Sequence, residues 1–167
     1  MNLFILRHGL AVEPGTPGYE NDAERPLTRE GKSKLQQIAA AMVELQLDFD
    51  LILSSPFKRA RQTAEIVAKE LKIEDKLEFS DFLTPGSRFS DLVDHVKRLK
   101  PLPENVMLVG HEPYLSQLIS LLVCGSDSSV VVLKKGGFAK LAIPSLKVGR
   151  CALLEWLLTP KQMGLMD

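Results

Sequence analysis

Short apolar runs alternate along most of the chain with segments of helical spacing, and this alternation constrains the fold more than any other feature. Residues 3–6, 50–53 and 106–109 each hold only three or four apolar residues in succession. Such runs are too short for a helix and are typical of buried strands. Residues 77–79 predict a further, weaker strand.

Four amphipathic helices are predicted between and after these strands. Thr28 is a suitable N-cap for the first helix, and Ser55 is a suitable N-cap for the second, with Pro56 at the first helical position. Gly125 closes the fourth helix. The spacing predicts a core-facing stripe on each helix. On the first helix it consists of Leu35, Ile38, Ala39, Met42 and Val43.

The last part of the chain has a different pattern. Residues 130–133, 138–143 and 151–158 are predicted strands joined by short turns, as in a hairpin. Strands that alternate with helices and then give way to a hairpin indicate a three-layer α/β/α domain. Its sheet is expected to be mostly parallel, with at least one antiparallel strand.

Length and composition predict one globular domain covering residues 1–167. The 21 basic and 21 acidic residues balance, whereas a nucleic-acid binder normally carries a basic excess. Cys124 and Cys151 have apolar neighbours and are expected to be reduced core residues. No signal peptide or membrane span is apparent, so we expect a cytoplasmic protein with no nucleic-acid or membrane partner.

Polar groups follow three of the predicted strands directly. Arg7 and His8 follow the first strand, Arg59 lies shortly after the second, and His111 follows the fourth. The carboxyl ends of parallel strands form the ligand crevice of an open α/β sheet. These four side chains are therefore expected to meet in one pocket, provided that the strands are neighbours.

Two arginines and two histidines suit the chemistry of a phosphoryl group. Arginine binds phosphate oxygens through two parallel hydrogen bonds. A neutral imidazole can attack phosphorus, and a second imidazole can stabilise the charge that develops. A metal site is the rival use of two histidines, but Arg7 and Arg59 would repel a dication, so no metal and no cofactor are expected. The remaining histidine, His95, is predicted to be a surface residue.

Four motifs in this order resemble the histidine phosphatase (phosphoglycerate mutase-like) superfamily. They are LRHG at residues 6–9, RPLTREG at 25–31, SSPFKRARQT at 54–63 and VGHEP at 109–113. The short chain and the LTP turn at 83–85 resemble the SixA-type phosphohistidine phosphatases. The resemblance implies a six-stranded sheet with one antiparallel strand. It also implies that His8 is the phosphorylated nucleophile and that Arg7, Arg59 and His111 complete the phosphate pocket.

The chain departs from this family pattern at one position. Many relatives carry a glutamate that acts as general acid after the third strand, and SixA-type proteins often place it just before Leu-Thr-Pro. Here Phe82 stands at that position, with Asp81 beside it. Asp81 is a candidate general acid, and a surface turn residue is the equally plausible alternative. A site without a good acid should favour P–N bonds, because a phosphohistidine leaves as neutral imidazole whereas an alcohol needs a proton.

The leading hypothesis is a metal-independent phosphohistidine phosphatase that acts on a histidine-phosphorylated signalling protein through a covalent enzyme intermediate. The alternatives are a phosphatase for small phosphate esters or other phosphoproteins and, from another class, a non-catalytic phosphate-binding module. The sequence leaves open the oligomeric state. It also leaves open whether the loop at residues 13–24 closes over the site.

Overall fold

In a computed structural model, which describes residues 1–166, the chain alternates strands and helices as the sequence predicts. The strands are β1 (Asn2–Arg7), β2 (Leu51–Ser54), β3 (Leu77–Phe79), β4 (Asn105–Gly110), β5 (Phe138–Ala142) and β6 (Leu153–Leu158). The helices are α1 (Arg29–Glu44), α2 (Lys58–Leu71), α3 (Phe89–Arg98), α4 (Tyr114–Cys124) and α5 (Pro160–Met163). Short 3₁₀ turns lie at Asp22–Glu24, Glu74–Lys76 and Asp81–Leu83.

The strands form one six-stranded sheet in the order β3-β2-β4-β1-β5-β6. Strand β5 runs antiparallel to both of its neighbours, β1 and β6. Strands β1, β2, β3 and β4 pair in parallel. The predicted sheet, mostly parallel with one antiparallel strand, is therefore confirmed.

Helices cover both faces of the sheet because side chains alternate along each strand. On β1, Leu3 and Ile5 belong to a core shared with α3 and α4. Phe4 and Leu6 belong to the opposite core, shared with α1, α2 and α5. The predicted three-layer α/β/α architecture is confirmed by these two cores.

Helix α1 begins where the sequence predicts and packs unusually close to the loop that follows β1. The Thr28 hydroxyl accepts a hydrogen bond from the Gly31 N–H at 3.0 Å, which confirms Thr28 as the N-cap. A Cβ on Gly31 would lie 2.1 Å from the carbonyl oxygen of Leu10. Only glycine therefore lets the first turn of α1 approach the backbone next to His8 and Gly9 so closely.

Three predictions about local structure are wrong. Val43 is 44% exposed, because at 100° per residue it lies at the margin of the stripe centred on Leu35. Residues 130–133 form no strand and lie outside the sheet, in which β5 pairs with β1 and β6. Cys124 is exposed and Cys151 half-buried rather than core, although neither forms a disulfide within residues 1–166.

Helix α2 also begins later than predicted. Its first residue is Lys58, and its N-cap position is held by Phe57 without a side-chain hydrogen bond. Ser55 and Pro56 belong instead to the turn between β2 and α2. The Ser55 hydroxyl accepts from the Phe57 N–H at 3.3 Å inside that turn.

Within residues 1–166, no helix has the length and the apolar character that crossing a membrane would require.

We predict that Gly31→Ala lowers the free energy of unfolding by about 1–3 kcal/mol, because the added methyl group overlaps the Leu10 carbonyl and α1 must shift. This loss outweighs the gain of about 1 kcal/mol in helix propensity. Urea unfolding measures the difference. Gly164→Ala is the matched control, since a Cβ there would meet no atom nearer than 3.5 Å. Equal stability of Gly31→Ala and the wild type would contradict the predicted close approach.

Candidate active site

The strand register brings the ends of β1, β2 and β4 side by side. Arg7 pairs with Gly110, and the ladder continues one residue further because the His8 N–H donates to the Gly110 carbonyl at 3.0 Å. On the other side of β4, the Ser55 N–H donates to the Val109 carbonyl at 2.9 Å. The residues that follow these three strands therefore share one edge of the sheet.

His8, His111 and Arg59 form a buried cluster at this edge. The two imidazole rings have their centroids 5.3 Å apart. The Nε of Arg59 donates to Nε2 of His8 at 3.3 Å. Only 6% of His8, 1% of His111 and 4% of Arg59 is exposed, which is rare for ionisable residues.

The hydrogen bonds of His8 define which ring nitrogen carries the proton. Nδ1 lies 2.7 Å from the Gly9 carbonyl oxygen, which can only accept, so Nδ1 holds the hydrogen. Nε2 therefore keeps its lone pair. Burial lowers the pKa of His8 to about 3, against the opposing Gly9 hydrogen bond and with the help of His111, Arg59 and Arg7. His8 is thus a neutral imidazole at pH 7 with an unprotonated Nε2, which accepts from Arg59.

His111 is held by a serine from the neighbouring strand end. Its Nε2 lies 2.8 Å from the Ser55 hydroxyl. Its Nδ1 is buried and has no hydrogen-bond partner within residues 1–166. Burial, followed by the charge of Arg59, lowers the pKa of His111 to about 3. An unpaired buried nitrogen costs free energy unless a ligand satisfies it, so this atom points to a polar ligand.

The loop before α1 contacts Arg59 through Asp22. The Arg59 guanidinium donates to the Asp22 backbone carbonyl at 2.7 Å and to its carboxylate at 2.9 Å. The same carboxylate accepts from Arg25 at 2.7 and 2.8 Å. Partial burial raises the pKa of Asp22, but the hydrogen bonds and charges of Arg25 and Arg59 outweigh it and lower the pKa overall. Asp22 is therefore an ionised carboxylate.

Arg7 lies at the end of β1 and is only partly buried. Its Nη1 donates to the Leu133 carbonyl at 2.8 Å, whereas its Nε is buried without a partner within residues 1–166. Burial lowers the pKa of Arg7, opposed by the charge of Glu112. An arginine has so high an intrinsic pKa that it keeps its charge. Arg7 thus presents a cation with an unused donor.

Thr63 links the loop that follows β1 to the first turns of α2. Its hydroxyl donates to the Arg59 carbonyl at 2.7 Å and accepts from the Gly9 N–H at 3.1 Å. The preceding residue, Gln62, accepts from the Leu27 N–H at 2.8 Å through its side-chain oxygen. These bonds fix Arg59 relative to His8. The motif at residues 54–63 thus includes residues that orient the cluster without belonging to it.

Asp81 and His95 lie in other surroundings. Asp81 is exposed, and its carboxylate makes no hydrogen bond or ion pair with the described residues. Only its backbone carbonyl is engaged, by the hydroxyls of Thr84 and Ser87 at 2.7 Å each. His95 is half-buried against the Phe82 ring, 5.3 Å away, so the prediction of a surface histidine is wrong. Phe82 supplies the apolar contact that covers it.

Sequence reasoning missed Asp22, Thr63 and the role of Ser55. From the sequence, Asp22 is only a residue of the loop at 13–24 and Ser55 is only a candidate N-cap. A signal existed for Asp22: the basic residues Lys58, Arg59 and Arg61 stand at the positive end of α2, where an anion is favoured. The Asp22 carboxylate supplies that anion. Among residues 1–166, no three or more histidine, cysteine or acidic side chains are grouped to hold a metal ion.

Comparison with known proteins gives three findings. A profile of the histidine phosphatase superfamily (branch 1) matches residues 3–83. The phosphohistidine phosphatase SixA homolog of Haemophilus influenzae is 31% identical over 132 residues, which are 73% of this chain and 77% of that protein. An uncharacterised protein of Picosynechococcus sp. is 33% identical over 138 residues, 82% of each chain.

The fold has a solved counterpart. The structure of the protein histidine phosphatase SixA complexed with tungstate superimposes with a TM-score of 0.81. The match covers 96% of this chain and 98% of that one, at 24% sequence identity.

We predict that the free energy of unfolding falls as the pH is lowered from 6.5 towards 3, because His8 and His111 bind protons in the unfolded chain but not in the folded one. Above pH 6.5 the two histidines are neutral in both states, so their titration no longer lowers the free energy of unfolding. The slope is at most about 1.4 kcal/mol per pH unit for each histidine. Urea unfolding across this range should show a smaller slope for His8→Gln than for the wild type. Identical slopes would show that His8 titrates alike in both states.

Proposed function

The chain belongs to the histidine phosphatase superfamily and to its SixA-type branch, and from this membership we propose that it hydrolyses phosphohistidine on proteins through a covalent phosphohistidine at His8. One observation carries the proposal. A buried, neutral imidazole holds its proton at Nδ1 and presents an unprotonated Nε2 beside a guanidinium. The Haemophilus influenzae relative, a phosphohistidine phosphatase SixA homolog, supports the substrate class. We also propose that residues 1–167 act as a single domain.

In the first step, Nε2 of His8 attacks the phosphorus atom of the substrate phosphohistidine. The P–Nε2 bond forms while the P–N bond of the substrate breaks, and the electron pair of that bond stays on the departing imidazole. The other ring nitrogen of the substrate already carries a proton, so the leaving group departs as a neutral imidazole. The Gly9 carbonyl stabilises the positive charge that His8 acquires through its Nδ1–H.

Three further side chains stabilise the transferring phosphoryl group. The Nε of Arg59 lies 3.3 Å from Nε2 of His8. As the P–N bond forms, Arg59 keeps its proton and donates this hydrogen bond to a phosphoryl oxygen instead. Arg7 supplies its unpaired Nε–H from the other strand end. His111 supplies Nδ1–H once the Ser55 hydroxyl donates to its Nε2. Preformed donors of this kind act most strongly where charge develops in the transition state.

In the second step, water attacks the phosphorus atom and the P–Nε2 bond breaks. The bonding pair returns to Nε2, and both protons of the attacking water leave on the released phosphate, which then exchanges them with solvent. His8 is restored as the same neutral tautomer. Neither step requires a proton from an enzyme acid, because a neutral imidazole leaves in both.

The carboxylates near the site support a P–N substrate. The Asp81 carboxylate is exposed and makes no hydrogen bond or ion pair with the described residues. Asp22 is close to Arg59, but two arginines lower its pKa and keep it ionised. An alkoxide leaving group would find no proton donor in the ionised Asp22, whereas an imidazole needs none.

We predict that the wild type dephosphorylates a phosphohistidine protein far faster than a phosphoserine peptide or a sugar phosphate. The His8→Ala variant should lose activity on all three, because the nucleophile is removed. Asp81→Ala should keep full activity on the phosphohistidine protein, since no acid is needed. Initial rates of phosphate release measure all three substrates. A radiolabelled, base-stable and acid-labile phosphoenzyme should be trapped with the wild type and not with His8→Ala.

Two results would contradict the proposal. Turnover of sugar phosphates alone would assign the site to small phosphate esters. Undiminished phosphohistidine hydrolysis by His8→Ala would remove the covalent step.

We predict that Ser55→Ala lowers kcat for the phosphohistidine protein by roughly 10–100-fold, because His111 loses the partner that orients its ring and sets its tautomer. The effect should fall on kcat rather than KM, since the His111 donor acts on developing charge. Ser55→Thr is the control, because it keeps the hydroxyl and should recover most of the rate. Equal losses in both variants would indicate a packing role for Ser55 instead.

A further inference from the structure

A basic pocket lies beside the candidate active site, and of its lining residues only Arg7 takes part in the chemistry described above. Its volume is about 790 Å³. Among residues 1–166, eleven residues line it, of which five are cations and none is acidic. The basic pocket is defined here by its cations Arg7, Lys34, Lys134, Lys135 and Lys161. Such a concentration is notable in a chain whose basic and acidic residues balance at 21 each.

Most of this positive charge is available to a ligand. Within residues 1–166, Lys134 and Lys161 form no salt bridge. Lys34 pairs with Glu30 at 2.6 Å and Lys135 with Glu13 at 3.2 Å, but both pairs are exposed and weak. Cations from four separate parts of the fold therefore face one cavity with little local compensation.

The basic pocket is physically joined to the nucleophile. Arg7 lines the pocket and directly precedes His8. The turn that carries Lys134 and Lys135 packs on the same backbone: the Gly136 N–H donates to the carbonyls of Arg7 and His8 at 3.1 and 3.0 Å. When the phosphohistidine of a substrate protein reaches His8, the residues around that phosphohistidine therefore come close to this pocket.

The lining also distinguishes between classes of ligand. Four of the five cations are lysines, whereas arginine is the better partner for phosphate. In the described part of the chain, no aromatic side chain on which a base could stack lines the pocket. Leu10, Pro160 and Leu165 add an apolar portion, and Leu165 is 77% exposed. Lysines beside apolar groups suit a polypeptide that carries both acidic and apolar side chains.

We infer that the basic pocket docks an acidic stretch of the phosphoprotein substrate that lies next to its phosphohistidine, an inference that rests on the function proposed above. The lysines attract the acidic side chains during approach, and Leu10 and Leu165 contact their apolar neighbours. Docking of this kind selects among phosphoproteins, while a small phosphoramidate needs only His8, Arg7, Arg59 and His111.

The test is a triple variant that carries Lys34→Gln, Lys134→Gln and Lys161→Gln. The matched control variant carries Lys69→Gln, Lys97→Gln and Lys147→Gln. All six lysines are exposed, and the control set lies outside the basic pocket. The pocket variant should lower kcat/KM for a phosphohistidine protein by about tenfold at low salt, with a weaker salt dependence, as for charges at the rim of an interface. Both variants should hydrolyse free phosphohistidine at the wild-type rate.

A binding measurement separates this inference from the proposed function. Fluorescence anisotropy of a labelled peptide of alternating glutamate and leucine should report binding to the wild type and to the control variant, and not to the pocket variant. That result supports docking even where phosphohistidine turnover fails, in which case only the proposed function is lost. Rapid phosphohistidine turnover with no peptide binding, and with an unchanged kcat/KM in the pocket variant, would overturn the docking inference alone. Tighter binding of a labelled RNA oligonucleotide than of the peptide would also overturn it.

Discussion

The hydrogen bond from the His8 N–H to the Gly110 carbonyl is the contact on which the candidate site depends. It extends the parallel ladder of β1 and β4 one residue beyond the strands and so places His8 beside His111. Parallel pairing allows no local slip here, because a shift of one residue would turn Leu6 and Phe4 out of their core. The packing of the sheet thereby sets the separation of the two imidazoles.

Burial of this cluster is tolerable because each charge has a compensating group. Arg59 is almost fully buried, yet its guanidinium contacts the Asp22 carboxylate and backbone carbonyl. The histidines remain neutral, so they add no positive charge to Arg7 and Arg59. A neutral imidazole is also the form that can attack phosphorus, so the same burial serves stability and the proposed chemistry.

Much of the fold could be predicted because short apolar runs and helical stripes are local patterns. The sites of His8, Arg59 and His111 followed from a general property of α/β sheets, namely that the carboxyl ends of parallel strands share an edge. Contacts between distant loops could not be derived in this way. Asp22 meets Arg59 across 37 residues of sequence, and no local pattern encodes that distance. The N-cap prediction for Ser55 is wrong because a serine hydroxyl can equally cap a helix or hydrogen-bond a histidine, as it does with His111.

The contact between Asp22 and Arg59 determines which anions can stay bound at this site. A carboxylate attached to the same chain competes for the guanidinium at an effective concentration that dilution cannot change. The affinity of Arg59 for every anion is therefore lowered by the same factor, whether the anion is chloride, free phosphate or a phosphorylated protein. Only a ligand with contacts elsewhere on the surface can overcome this handicap. The product phosphate has contacts only inside the site, so the loop that carries Asp22 favours its departure.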